Sequence, residues 1–262
     1  MKIVLSLCLT LVFLVFAVLP SHAALDKKGL MLLFTFENAK GDTVSDLSGG
    51  KHDGTLMTKA AIIKTAKYGS GALEITDSNA LMQVQSFKEL EEYTDNTFLF
   101  WIYFSAGSNG LWSQILVKLA PGSDRSPGIW INQGSTGIHY RYNAGNLGFG
   151  AVGPNGEGGS FDLKTWYHIV GVKKGAQLTY YCNGVQKGQT AVPQAHSQGS
   201  GTLNVGKSGY RAATFYMDDL AVFNRALTAD EVKLVMDGAL SIGAPVEPQG
   251  KLASAWGDIK SY

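Results

Sequence analysis

The chain has 262 residues, with 22 Lys and Arg against 21 Asp and Glu and a formal net charge of +1. That balance offers no basic field for nucleic acid or an anionic membrane surface, and it sets both partner classes aside. Two cysteines in such a chain exclude a disulfide-dense scaffold, and the length is sufficient to bury a sizeable core without one.

Residues 1–23 read as an export signal. Lys2 is a minimal positive start, Ile3 to Leu19 is apolar, and Pro20-Ser21-His22-Ala23 ends with small residues at a cleavage site. Cleavage would leave about 239 residues, with Cys182 as their one thiol and with 21 basic residues (22 less Lys2) against 21 acidic ones. No later stretch reads as a membrane span. The expected location is therefore secreted, periplasmic or cell-surface.

From there the chain alternates short strand-like runs with turn signals. "GLMLLFTFE" places Leu30, Leu32, Phe34 and Phe36 on one face. "ALEI" follows. "NTFLFWIYF" is apolar on both faces and reads as a central strand covered on both sides. "ELEEYTD", just before it, reads as a solvated loop. "SQILVKLA", "PGIWIN" and "GIHYRYN" are next, and residues 143–160 read as a glycine-rich loop. "WYHIVGVKK" and "AQLTYYCNGVQKG" then form a hairpin pattern, the second with Asn183-Gly184 at a type I′ turn. "GTLNVG" and "FYMDDLAVF" complete the set.

One helix is expected, over Ala229 to Met236. Thr228 and Glu231 form a capping box, Leu227 and Val232 a hydrophobic staple, and Gly238 the residue past the end. Residues 241–262 read as a Pro/Gly-punctuated tail, with Trp256 in it. The pattern is all-β: an antiparallel β-sandwich with one short C-terminal helix, rich in the glycine and aromatics that tight turns and pleated faces use.

Four blocks carry a resemblance. "FTFENAKGDTVSDLSGGKHDGTL", "FLFWIYF", "WYHIVGVKKGAQLTYYCNGVQKG" and "FYMDDLAVFNRALTADEV" occur in an order similar to that of the concanavalin A-like, LamG-like jelly-roll domains of secreted and cell-surface proteins. The resemblance implies a single jelly-roll domain over 24–240. It says less about function, because the fold hosts lectins, hydrolases, adhesion modules and spacers. Many such modules carry a disulfide. Here Cys182, in parity with Leu178 and Tyr180, reads as a buried thiol.

Asp218 and Asp219 interrupt the last strand. An ionised carboxylate near protein interior costs several kcal/mol unless it is compensated. Two compensations stand side by side. In one, the resemblance brings the first and last strands together and sets the loop "ENAKGDTVSDLSGG" near Asp218. Glu37, Asp46 and Asp218 could then hold a structural Ca²⁺, which takes six to eight oxygens. In the other, Asp218 accepts backbone N–H bonds at a bulge or strand end, with Arg225 as a possible ion partner.

Catalytic patterns are missing. A retaining glycosidase needs two carboxylates about 5–5.5 Å apart on one face, and adjacent Asp218 and Asp219 would point to opposite faces of a regular strand. The histidines form no cluster, and His168 reads as a strand histidine with a structural hydrogen bond. The expectation is therefore a non-enzyme.

Sugar recognition needs a flat aromatic surface beside planar polar groups. "GIWINQGSTGIHYRYNAGN" supplies Trp130, Asn132, His139, Tyr140, Arg141, Tyr142, Asn143 and Asn146, with Trp112 and Arg211 on glycine-bearing loops that could join them. Trp112, Trp130, Arg141, Tyr142 and Asn143 are the candidate ligand residues. The functional expectation is an exported recognition or adhesion module for carbohydrate or an extracellular surface. A structural envelope protein and an atypical glycoside hydrolase are the alternatives.

Overall fold

The computed structural model describes residues 24–241. The expected signal at 1–23 and all of the tail beyond Ser241, with Trp256, lie outside the described residues. In chain order the strands are β1 (Leu30–Phe34), β2 (Ala39–Lys40), β3 (Thr43–Val44), β4 (Gly54–Met57), β5 (Ala61–Ile63), β6 (Ala72–Ile75) and β7 (Leu81–Val84). Helix α1 (Lys88–Glu92) precedes β8 (Asn96–Phe104), β9 (Ser113–Lys118), β10 (Gly128–Ile131), β11 (Ile138–Tyr142), β12 (Leu147–Gly153) and β13 (Gly156–Glu157). Then come β14 (Trp166–Lys174), β15 (Gln177–Cys182), β16 (Val185–Ala191), β17 (Leu203–Gly206), β18 (Phe215–Phe223) and α2 (Ala229–Met236).

They form two antiparallel sheets. The first has eight strands in the order β16-β15-β14-β8-β18-β6-β5, with β1 also paired to β18. The second has ten, in the order β13-β12-β11-β10-β9-β17-β7-β4-β3-β2. The main core lies between the sheets. Phe98, Phe100, Ile102 and Phe104 from β8 meet Ile129, Ile131, Ile138, Tyr140 and Tyr142 from β10 and β11. This is a concanavalin A-like sandwich. The first and last strands meet as expected, with Phe34 opposite Leu220.

A second apolar cluster explains why β8 and β14 are apolar on both faces. On the outer side of the eight-stranded sheet, Leu99, Val170, Val172 and Phe223 pack under Leu227, Val232 and Val235 of the α2 region. The helix has its capping box and staple: Thr228 accepts from Glu231 N, and Glu231 accepts from Thr228 N. Asn183 and Gly184 both have positive φ, 49° and 73°, as a type I′ hairpin requires. Cys182 is a buried free thiol, pushed up to about 11 by burial.

Three local readings change. Leu30 packs with the outer cluster rather than with Leu32 and Phe34, because the pairing slips by a bulge between Leu30 and Leu32. "ELEEYTD" enters α1, where Leu90 is buried and gives the segment an inward side. Residues 143–160 contain β12 and β13 rather than a single loop. The short strands β4, β5 and β7 also escaped the sequence pattern; none exceeds four residues.

Candidate functional site

The ten-stranded sheet turns one face to the core and one outward. Ile129, Ile131, Ile138 and Tyr140 point inward, so alternation sends Trp130, His139 and Arg141 to the outer face. Registers align Gln114, Trp130 and His139 across β9, β10 and β11. Trp112, just before β9, lies edge-on to His139 at 4.9 Å and to Trp130 at 6.3 Å. Tyr210, 49% exposed, reaches Trp130 from the loop after β17 at 4.9 Å. The Arg125 guanidinium stacks over Trp130 at 4.5 Å.

Polar side chains fix this aromatic cluster. Gln114 Oε1 accepts from Ser208 N and Tyr210 N at 2.8 and 2.9 Å, which pins the loop that carries Tyr210. His139 Nδ1 lies 2.9 Å from Gly150 O. Burial holds the His139 pKa below its ordinary value, and the charges of Arg141 and Arg125 add to the effect. A carbonyl only accepts, so Nδ1 of the neutral ring carries the proton and donates to it. Next to this cluster, Asn204 accepts from Gln83 Nε2 and Thr202 and donates to Ser208, extending the face with amides.

Several donors here have no partner among the described residues. Gln114 Nε2, Trp130 Nε1, Arg125 Nε and Arg141 Nε are all buried without one. Buried donors without partners are uncommon and call for an acceptor.

Of the expected ligand residues, Trp112, Trp130 and Arg141 gather on this face. Tyr142 does not. It shares parity with Tyr140, is wholly buried, and donates to Asn96 Oδ1 at 2.7 Å across the sandwich. Asn143 spends its amide within the protein, donating to Ser123 Oγ on the loop between β9 and β10 and accepting from Asn146 N on its own loop. Gln114, Arg125 and Tyr210 were missed. Gln114 had a signal, as a lone amide at the start of an apolar strand. Arg125 and Tyr210 arrive from distant loops, and no local pattern announces them.

The acidic residues lie elsewhere. Asp218 is fully buried on the outer side of the eight-stranded sheet, where Oδ2 accepts from Lys67 N and Tyr68 N and Oδ1 from Asp219 N, at 2.9–3.0 Å. Asp219 sits at φ 48° in a bulge between Asp218 and Ala221. The bulge breaks the alternation expected of a regular strand, and Asp219 accepts from Ser241 Oγ on the same covered side. Burial raises both carboxyls, Asp218 to about 6 and Asp219 to about 7, the latter also through the charge of Asp218.

Glu37 lies within electrostatic range of both, but it and Asp46 accept hydrogen bonds from other groups. Glu37 accepts from Ser70 N, Ser70 Oγ and Gly71 N, all at 2.7 Å. Asp46 accepts from Leu33 N, Ser48 N, Ser48 Oγ and His52 N. Each of the three expected calcium ligands thus faces its own set of donors. Among the described residues no group of three or more His, Cys, Asp or Glu could hold a metal ion. The donor set does not fit a calcium ion bridging Asp218, Glu37 and Asp46. Arg225 binds Glu231 bidentately instead of Asp218, at 2.6 and 2.9 Å.

His168 departs from its expected role. The described residues give neither ring nitrogen a hydrogen bond, and the ring packs against Trp101 at 5.0 Å. Burial, then the charge of Lys67, lowers its pKa to about 3 and keeps it neutral.

A family model described as the concanavalin A-like lectin/glucanases superfamily matches residues 71–233, more than half of the chain. No curated protein matches. Among solved structures, the chain is similar to the binding domain of Paraclostridial Mosquitocidal Protein 1, with TM-score 0.62 and 16% identity over 80% of this chain and 52% of that one. It is also similar to the receptor binding domain of botulinum neurotoxin D, with TM-score 0.60 and 12% identity over 81% and 53%. A third is Trypanosoma rangeli sialidase in complex with sialic acid, with TM-score 0.59 and 16% identity over 82% and 33%. The chain spans about half the length of the two binding domains and a third of the sialidase. These likenesses concern the fold.

Proposed function

We propose that this chain, which belongs to the concanavalin A-like lectin/glucanases superfamily, is an exported, non-catalytic recognition module that binds carbohydrate on the outer face of its ten-stranded sheet. The observation that carries the reading is the cluster of Trp112, Trp130, His139 and Tyr210 beside buried donors that lack partners. A pyranose presents an apolar C–H side to a ring face and hydroxyls at its rim. Trp130 and His139 are buried at 3% and 9% exposure, so half-buried Trp112 and exposed Tyr210 are the rings it would meet. Toxin binding domains and a sialidase–sialic acid complex among the similar folds agree with it.

The non-catalytic part rests on where the carboxylates are. Asp218 and Asp219 are buried under the opposite sheet's cover, away from this face. Asp124, nearest the cluster in sequence to Arg125, is engaged in an ion pair with it. Export rests on residues 1–23. Among the described residues, no helix is long and apolar enough to cross a membrane.

A glycan array tests the proposal. The wild-type domain is expected to give hits that Trp112→Ala and Tyr210→Ala weaken by about tenfold or more, the scale of a lost stacking contact. Hits that survive both substitutions unchanged would place binding elsewhere, and a blank array would remove the reading.

A further inference from the structure

We infer that the glycan taken by this face is acidic, a saccharide bearing carboxylate or sulfate groups that Arg125 and Arg141 read together. The inference rests on the proposed carbohydrate site and narrows its ligand class.

The two guanidiniums converge over a strip of sheet without side chains. Arg141 stands opposite Gly128 on β10 and Gly148 on β12. A Cβ added to Gly128 would meet Arg125 Cγ at 3.0 Å and Trp130 Nε1 at 3.4 Å, so the stem of Arg125 and the indole N–H share the space above that glycine. A Cβ added to Gly150 would meet Arg141 Nη2 at 3.4 Å. Glycines at 128 and 150 thus let both arginines lie down along the sheet instead of standing away from it. The charges are close enough that Arg125 holds the pKa of Arg141 down, after burial, and that both oppose protonation of His139.

Donors outnumber acceptors on this face, where Asn132 Oδ1 is a buried acceptor without a partner among the described residues and Nε2 of the neutral His139 ring is a further acceptor. Arg125 spends Nη1 on Asp124, and Arg141 donates Nη1 to Asn146 O at 2.8 Å. Glu157 also lies within electrostatic range of Arg141. Each guanidinium has five N–H donors, and both Nε–H groups remain without partners, as do Trp130 Nε1 and Gln114 Nε2. A neutral hydroxyl accepts through two lone pairs but also brings an O–H donor to a surface already rich in donors. Carboxylate and sulfate only accept, and the forked guanidinium binds them through two parallel bonds. Stacking on Trp130 also orders Arg125 before a ligand arrives, which lowers the entropy lost on binding.

The test is a panel of printed glycans in neutral, carboxylated and sulfated forms, probed with wild type, Arg125→Gln, Arg141→Gln and the double variant. Circular dichroism and melting report whether each variant is folded. The expected result is that charged forms bind at least tenfold more tightly than their neutral counterparts. The double variant should lose that preference while keeping its weak affinity for neutral forms. Raising salt from 50 to 500 mM should weaken binding of charged glycans to wild type and leave the double variant unaffected. The carboxylated and sulfated arms decide which anion is read. Neutral glycans binding as well as charged ones would overturn this inference and leave the carbohydrate site standing. So would a double variant that retains the preference. A panel blank in every class would remove both.

Discussion

The outer faces of the two sheets carry similar residues and treat them differently. Each has a tryptophan against a histidine, a cation over that tryptophan's ring, and an indole N–H without a partner. On the eight-stranded sheet, Trp101 and His168 lie beneath Lys67 and Tyr68, and α2 covers the apolar part of the same face. On the ten-stranded sheet, Arg125, Trp112 and Tyr210 surround Trp130 and His139; Trp112 is half-buried and Tyr210 is 49% exposed. On the covered face the Asp218 carboxylate accepts from backbone N–H groups and His168 is held neutral by burial, while Trp101 Nε1 is without a partner among the described residues there too. On the other face Trp130 is as buried as Trp101, at 3% against 5%, and Tyr210 and Trp112 are the rings that reach solvent. The difference lies in what covers each face: a helix on one, and half-buried or exposed aromatic rings on the other.

The largest effect expected from this contrast is on the covered side. Asp218→Ala strands three buried N–H groups, those of Lys67, Tyr68 and Asp219. At about 1–3 kcal/mol for each unsatisfied group, with partial relaxation, a loss of ~3 kcal/mol is expected. Urea denaturation measures it, and a change below ~1 kcal/mol would mean that the seam is more loosely held than its hydrogen bonds imply. Trp112→Ala should do the opposite. It should weaken glycan binding about tenfold and change stability by less than ~1 kcal/mol, because the ring is half-exposed. A stability loss as large as that of Asp218→Ala would make Trp112 a structural residue and erase the contrast.

Helix α2, the main cover, gives a finer probe. Thr228→Ala removes one side of the capping box and should cost ~1 kcal/mol, leaving binding on the far sheet intact.

The pH response follows from the pKa directions. The folded pKa values of Asp218 and Asp219, about 6 and about 7, exceed the unfolded value of 3.8. Their contribution is therefore full below pH 4 and is lost as pH rises through 6 and 7. His168 and His196 work in the other direction. Burial lowers them to about 3 and about 4, so the stability they contribute is present above 6.5 and is lost as pH falls toward those values. Opposed slopes should leave the wild-type melting temperature nearly flat between pH 5 and 7. Asp219→Asn keeps a side chain suited to φ 48° and removes one buried charge. Its melting temperature should exceed that of wild type at pH 8 and lose the advantage progressively as pH falls toward 4. A constant offset across this range would refute the assigned titration.

The smallest expected effect is that of calcium. Because Asp218, Glu37 and Asp46 face separate donor sets, millimolar Ca²⁺ or a chelator should shift the melting temperature by less than ~1 °C. A saturable rise of several degrees would restore a calcium site at the seam.

Much of the fold was legible because alternation and turn chemistry are local. The two-faced apolar pattern of "NTFLFWIYF" predicted a strand covered on both sides, and β8 is one. The Thr228 and Glu231 box predicted α2 to the residue. Residues 143–160 failed because glycine lowers strand propensity, and the reason for glycine at 150 is a guanidinium from the neighbouring strand. The site was legible in half. Parity alone could have separated Arg141, facing out, from Tyr142, facing in. Arg125 and Tyr210 could not be found this way, since stacking on Trp130 depends on loops that only the folded sheet brings near. The same limit applies to Asp219, whose direction follows from a bulge that the sequence does not announce.

Leu25 and Leu240, close to the two limits of the described chain, both pack in the apolar cluster outside the eight-stranded sheet. Entry and exit therefore share one side of the sandwich, and the Trp130 surface lies on the other. A domain fastened through either limit would stand like a plate on its stem, its Trp130 side turned away from the support and toward whatever approaches from solution.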